Sequence, residues 1–373
     1  MNYKIIDTTP ALEEVCTLAS QVDCVMLDTE FVRTRTYFPQ LGLIQLYDGE
    51  NLSLIDPSCI DDMSSFKKLL KDGSVLKVLH ACGEDLEVFK QSFGCTPFPM
   101  LDTQIMAAFL GHGLSTGFST LVNEYLEVEL DKSESRTDWL ARPLSLRQLE
   151  YAAADVYYLM PLFELLYQKV DQAGWREAAL QESELLIEKR SSESDPEQVF
   201  KDIKGSWQLT PKQLAILKPL ATWRLKEAIT RDIALNFVFK EQDLWAVARF
   251  GITSFKRMDE EGFDQREIRR HGEKVITIVK QAEMINEDEW PAKIERLMDK
   301  PGYKQIFKTI KDEVKQVSLS SGLASEFLAS KKQLNQLISW SWNAQQDPEY
   351  LPDLMTGWRK TLLGEKLYSL LKG

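Results

Sequence analysis

Asp28 and Glu30 stand two residues apart in the apolar run CVMLDTEF (24–31). Side chains along a strand alternate between its faces, so the two acids project the same way. Neighbouring carboxylates repel, and burial disfavours the charged form further. Such a pair calls for a cation. Two more acids fit the same demand: Asp85 in LHACGEDLEVF and Asp155 in YAAADVYYL, with Tyr151 four residues earlier. On a helix, i and i+4 share a face, so the Tyr151 hydroxyl and the Asp155 carboxylate can converge. Four carboxylates and a phenol suit Mg²⁺ or Mn²⁺, which take oxygen ligands. Two such ions about 4 Å apart can clamp an in-line displacement at phosphorus, with the tyrosine orienting the attacking water. Singly, each feature also has an ordinary explanation. Asp-x-Glu occurs at surface turns, Tyr-x-x-x-Asp is a common helical pair, and Asp85 suits any helix N-terminus.

The elements that must position these residues alternate between strand and helix in the first 110 positions. CVMLDTEF, GLIQLYDG (42–49) and LSLIDP (52–57) follow one another across short turns and predict an antiparallel meander, with VLKVLH (75–80) as a fourth strand. Helices are expected over 64–73, 83–94, 102–111 and 145–170, with Pro161 kinking or breaking the last. The polar stretch RSSESDPEQ (190–198) reads as a linker. Beyond it the pattern is helical, beginning with a Thr-Pro start at 210–211. It falls into two sets that form a weak repeat of roughly 80 residues.

Charge follows the same division. Residues 1–202 hold 17 Lys+Arg against 34 Asp+Glu, residues 203–285 hold 15 against 11, and residues 286–373 hold 13 against 12, within a net charge of −12. An acidic front half and a mildly basic sequel suit a metal-dependent enzyme with an attached module that grips polyanions; solvated surface charge is the plain alternative. Histidine chemistry is improbable with only His80, His112 and His271, far apart in sequence. Five cysteines within the first 95 residues, an odd number without CxxC spacing, point to reduced, mostly buried thiols and away from zinc. Neither a signal-peptide layout nor a membrane-length apolar run occurs, which leads to the expectation of a cytoplasmic protein.

LDTEF, LHACGEDLEVF and YAAADV resemble the three exonuclease motifs of the DEDD superfamily, tyrosine subclass. LDTEFVRTRTYFPQLGLIQL, LDTQIMAAF and LDKSESRTDWLARPLSLRQLEYAAADVYYL are similar to the nuclease domain of the bacterial ribonuclease D family, and the two helical sets to its paired HRDC modules. The resemblance covers nearly the whole chain. It implies an α/β ribonuclease-H-like exonuclease domain (1–202, linker about 190–204), with a mixed sheet flanked by helices. Two all-α HRDC-like domains would follow, 205–285 and a less typical 286–373. It implies a 3′–5′ exoribonuclease that releases nucleoside 5′-monophosphates, processes the 3′ ends of tRNA precursors and other small structured RNAs, and works as a monomer with two divalent ions. Asp28, Glu30, Asp85 and Asp155 would be the metal ligands and Tyr151 would place the water. Asp28 would bridge both ions, Glu30 and Asp155 would serve the hydrolytic one and Asp85 the other. Asp102 in LDTQ reads as a helix cap or as support for a ligand.

Basic residues near the motifs are candidates for phosphate contacts: Arg33 and Arg35 after the first acids, and Lys132, Arg136 and Arg142 before the third motif, unless Arg136 pairs with Asp131 or Asp138. Arg266, Arg269, Arg270 and Lys274 recur at helical spacing. Trp223, Arg224, Lys226, Arg231, Asn236 and Phe237 mix aromatic and basic groups as single-strand binders do, although Trp223 and Phe237 read better as core residues. Three rivals stand beside the exoribonuclease: a DNA-directed exonuclease, a non-catalytic RNA-binding adaptor, and a helicase accessory. The last lacks a phosphate loop.

Overall fold

The computed structural model describes residues 1–343 and 350–372. The chain forms two compact units: Met1–Val32 with Gln40–Ser191 and Pro301–Gly373, and Arg33–Pro39 with Ser192–Lys300.

The first unit is built on a six-stranded mixed sheet. In chain order its front part runs β1 (Lys4–Ile6), α1 (Thr9–Ala19), β2 (Cys24–Val32), β3 (Gln40–Tyr47), β4 (Leu52–Ile55), α2 (Ser64–Lys71), β5 (Leu76–Leu79), α3 (Gly83–Phe93), β6 (Met100–Asp102), α4 (Thr103–Phe109), α5 (Phe118–Leu126), α6 (Leu146–Tyr157), α7 (Leu159–Gln172) and α8 (Arg176–Ser191). The strands lie in the order β1-β4-β3-β2-β5-β6. β2, β3 and β4 form the expected antiparallel meander, and β5 pairs with β2 in parallel. The edge strands β1 and β6, three residues each, are too short to display an alternation in sequence. Val25 and Leu27 of β2 face a core shared with Ile44, Leu46, Phe66, Leu69, Leu86 and Phe89. The alternate residues Met26, Asp28 and Glu30 therefore look to the opposite face, and α6 packs against β2, β3 and β4.

The run expected over 145–170 is two helices, α6 and α7, divided at Tyr158. Pro161 has no N–H to give and its ring crowds the carbonyl of residue i−4. That residue is Tyr157, the last of α6.

The first unit ends with α14 (Tyr303–Ser321), α15 (Ser325–Leu328), α16 (Lys331–Trp342) and α17 (Gly357–Arg359), which runs through a π-helical turn (Lys360–Gly364) into α18 (Glu365–Lys372). Aromatic edges join these helices to the sheet-bearing part. The Phe109 ring lies 4.7 Å from Phe327 and 4.9 Å from Trp358, and Trp175 lies 5.5 Å from Phe109.

The second unit holds α9 (Pro211–Arg231), α10 (Leu235–Val238), α11 (Glu241–Phe250), α12 (Phe255–Glu260) and α13 (Gln265–Ala282) around Leu217, Leu220, Phe239, Leu244, Val247, Val275 and Val279. Thr210 and Gln213 cap α9 reciprocally, with Pro211 in its first turn. The segment 33–39 belongs to this unit. The Phe38 N–H donates to Asp232 Oδ1 at 2.9 Å, the Ala234 N–H to Arg35 O at 2.8 Å, and Tyr37 packs on the helical core.

All five cysteines are free; Cys16 and Cys82 are buried, Cys24 and Cys95 partly buried, and Cys59 exposed. Among the described residues, no helix is long and apolar enough to cross a membrane.

Candidate active site

Asp28 and Glu30 lie on β2 opposite Gln45 and Leu43 of β3, just before a register shift between Glu30 and Phe31. α6 crosses that face and brings Asp155 to them. One carboxylate oxygen from each of Asp28, Glu30 and Asp155 falls within 4.8 Å of the others. Thr29, between the two acids, points the other way, and its hydroxyl donates to Asp85 in the first turn of α3. Asp85 thereby joins the strand from its far side, at a helix N-terminus that favours negative charge. Tyr151, one turn before Asp155, lies beside its carboxylate and favours the charged form. Asp28, Glu30, Asp155 and Tyr151 thus meet on one face, and Asp85 is tied to the same strand through Thr29.

Electrostatics report the crowding. Asp28 is raised well above the usual carboxylate range by burial first, then by Asp85, Asp155 and Glu30. Burial and the charges of Asp155 and Asp85 push Glu30 up to about 9. Burial lifts Asp155 to about 7 against the opposing effect of Tyr151, and Asp85 to about 6 against its bond from Thr29. Tyr151 is raised by burial and then by the neighbouring carboxylates, so the phenol keeps its proton. Four oxygen donors, all driven toward neutrality for want of positive charge, fit a hard divalent cation. No sulfur or imidazole belongs to the set.

A pH dependence follows. Groups whose folded pKa is raised stabilise the fold fully below their unfolded values, near 4, and lose that contribution as pH rises through the folded ones. In EDTA, Tm is expected to fall between pH 5 and pH 9, the window set by Asp85, Asp155 and Glu30. Mg²⁺ restores stability, and by more at pH 9 than at pH 5. A gap between Mg²⁺ and EDTA that ignores pH, measured by calorimetry, would refute this account.

The helix cap expected at Asp102 is present. Its carboxylate accepts from the Gln104 N–H at 2.8 Å, and from the N–H groups of Ala81 and Cys82 at 2.9 and 3.0 Å. It thus braces the turn entering α3, three residues before Asp85.

The basic candidates divide. Lys132 and Arg136 are exposed and, among the described residues, make no ion pair with Asp131 or Asp138. Arg266, Arg269, Arg270 and Lys274 form an exposed stripe on α13. Arg33 donates to Tyr37 O at 3.0 Å, and Arg35 holds Ala234 through its carbonyl. Three expectations need correction. Arg142 is committed to internal partners, with Nε 2.5 Å from Asp56 Oδ2. Arg224 is only 4% exposed and donates to Leu235 O and Asn236 Oδ1 at 3.2 and 2.7 Å. Phe237 is 54% exposed and lies outside the core, while Trp223 is half-buried against it.

Sequence reasoning missed Thr29, for which the alternation of faces in Asp-Thr-Glu was a signal.

Residues 3–171 match the 3′-5′ exonuclease family, 213–279 the HRDC domain, and 301–367 the ribonuclease D C-terminal HRDC domain. The chain is 51% identical over 373 residues to ribonuclease D of Serratia proteamaculans, covering 100% of both. It is 49% identical to ribonuclease D of Escherichia coli over 372 residues, covering 100% of this chain and 99% of that one. The crystal structure of the Escherichia coli enzyme, described as an exoribonuclease involved in structured RNA processing, superposes with a TM-score of 0.95. That match covers 100% of this chain and 99% of that one, at 49% identity. The catalytic core of RRP6 from Trypanosoma brucei shares the fold at a TM-score of 0.62 and 21% identity, over 75% of this chain and 79% of that one.

Proposed function

The chain belongs to the ribonuclease D family and is a 3′–5′ exoribonuclease, and from that premise we propose that it trims the 3′ tails of tRNA precursors and other small structured RNAs, as a cytoplasmic monomer. Exonucleases of this family use divalent metals, and RNA is the substrate. In our reading two Mg²⁺ or Mn²⁺ ions serve the site, and nucleoside 5′-monophosphates leave it.

The observation that carries this reading is the convergence of Asp28, Glu30 and Asp155 within 4.8 Å, with Tyr151 beside Asp155 and Asp85 tied to the intervening Thr29. Asp28 would be shared by both cations, Glu30 and Asp155 would serve one, and Asp85 the other. Cations held there would supply acidity to water and would neutralise charge developing on the phosphate. The residues themselves supply placement. β2 and α6 fix three carboxylates from rigid elements. The protonated Tyr151, oriented by Asp155, holds the attacking water by hydrogen bonding and does not abstract its proton. Residues 1–202 carry this chemistry. The helical modules 205–285 and 286–373 hold the RNA body, with Arg266, Arg269, Arg270 and Lys274 offering phosphate contacts from the first, and Arg33, Arg35, Lys132 and Arg136 from elsewhere.

The test uses a 5′-labelled tRNA precursor with a short 3′ extension, in Mg²⁺, Mn²⁺ or EDTA, beside a DNA strand of the same sequence. A ladder shortening from the 3′ end of the RNA, absent in EDTA, is the expected result. Equal rates on DNA would overturn the substrate assignment, and shortening in EDTA would overturn the metal assignment.

A further inference from the structure

Arg142 lies in the loop before α6, where a phosphate-gripping cation was expected, yet its five N–H groups are all used within the protein. Nε donates to Asp56 Oδ2 at 2.5 Å, and Nη2 to Asp56 Oδ1 at 2.8 Å and to Gly42 O at 2.7 Å. Nη1 donates to the carbonyls of Trp139 and Ala141, both at 2.9 Å. Asp56 is itself buried, 8% exposed. Against that burial, hydrogen bonds from Arg142 and Ser58 hold its carboxyl below the usual range. Such a planar, bidentate pair is what a guanidinium makes and an ammonium cannot.

The clamp fixes one residue above all. Trp139 is 1% exposed, its carbonyl is held by Arg142, and its ring centroid lies 6.0 Å from that of Tyr151 at 42°. Gly42 makes room for it, since a Cβ there would stand 2.5 Å from Trp139 O. The same loop is tied to α6 from the other side. Gln148, in the capping box with Ser145, donates to Thr137 Oγ1 at 3.1 Å and to Asp138 O at 3.2 Å. The Trp139 indole is thereby seated beside the Tyr151 ring by β3, the end of β4 and the first turn of α6.

We infer that Arg142, through its pair with Asp56, is a positioning residue that sets the Tyr151 ring by way of Trp139. The inference rests on the reading of Tyr151 as the group that orients water. A displacement of about 1 Å at such a group costs on the order of 10²-fold in rate. The clamp acts on placement and touches no phosphate.

Arg142→Lys keeps the charge and loses the fork. Its expected effect is a fall in kcat of about 10- to 100-fold with KM for RNA and its salt dependence unchanged. In a Tyr151→Phe background the same change is expected to cost under about threefold, because residues acting as one unit are non-additive. Trp139→Phe, which keeps an aromatic ring, runs the same cycle should Arg142→Lys fail to fold. A raised KM with a shallower salt dependence would make Arg142 a phosphate contact and overturn the inference. Full additivity with Tyr151→Phe would overturn it as well. Wild-type kcat in Tyr151→Phe alone would instead sink the reading of Tyr151, a result distinct from either.

Discussion

Asp28→Asn is expected to lower kcat by at least about 10³-fold while leaving the metal-free protein more stable than wild type at pH 8. The loss follows from the site we propose, in which Asp28 is shared by both cations. Metal binding contributes several kcal/mol to the transition state, and each 1.36 kcal/mol is tenfold in rate. The gain in stability follows from the surroundings of Asp28. Burial, and then Asp85, Asp155 and Glu30, raise its pKa well above the usual range, so its charge opposes the fold whenever no cation is present. An amide of the same shape removes the cost of either charging that buried carboxyl or holding it protonated. Active sites commonly carry such a conflict between stability and function. Single-turnover kinetics in Mg²⁺ and calorimetry in EDTA check the two halves. Activity within tenfold of wild type would remove Asp28 from the metal site. A lower Tm in EDTA would mean that its carboxylate supports the fold, contrary to the electrostatics described.

What could be read from the sequence divides according to how local the cause is. Asp28 and Glu30 were legible because period-two alternation puts a costly pair on one face of an apolar strand. Tyr151 and Asp155 were legible because i and i+4 coincide on a helix. The β2–β4 meander announced itself through short turns between apolar runs, whereas β1 and β6 are too brief to show any period. The clamp around Trp139 was illegible for a different reason: Arg142 and its acceptor Gly42 are 100 residues apart. Arg224 misled in the same way. It sits in a run that mixes aromatic and basic residues, and only the turn after α9 reveals that the carbonyl of Leu235 and the side chain of Asn236 claim its guanidinium. Phe237 erred in the opposite direction, since an aromatic residue within that run suited a core and the four-residue helix α10 turns it outward. Residue type proposes a role, but partners distant in sequence decide between phosphate contact, core and clamp.

Those partners also decide how the last helices are attached, and Glu182→Ala is expected to show it with a destabilisation of about 3–5 kcal/mol. Arg359 is 4% exposed. Its Nη1 meets the Glu182 carboxylate, Nε donates to Leu328 O at 3.1 Å, and Nη2 to Phe327 O at 2.9 Å. The guanidinium also lies 4.3 Å from the centre of the Trp358 ring, whose Nε1–H donates to the same carboxylate at 3.1 Å. Removing Glu182 leaves a buried cation facing a cavity and an indole N–H without its acceptor, the condition in which broken buried pairs cost most. Glu182 lies on α8 and Arg359 ends α17, so the loss falls on the junction between the exonuclease part and the final helices. Urea denaturation should reveal it, with limited proteolysis cutting after α8 sooner than in wild type. The double variant Glu182→Leu/Arg359→Met separates charge from packing. With no buried ion left, it is expected to recover more than half of the loss, although the carbonyls of Phe327 and Leu328 still lack their donor. A single variant within 1 kcal/mol of wild type would mean that the aromatic contacts among Phe109, Trp175, Phe327 and Trp358 hold the junction alone. A double variant no better than the single would place the cost in shape and not in the unpaired charge.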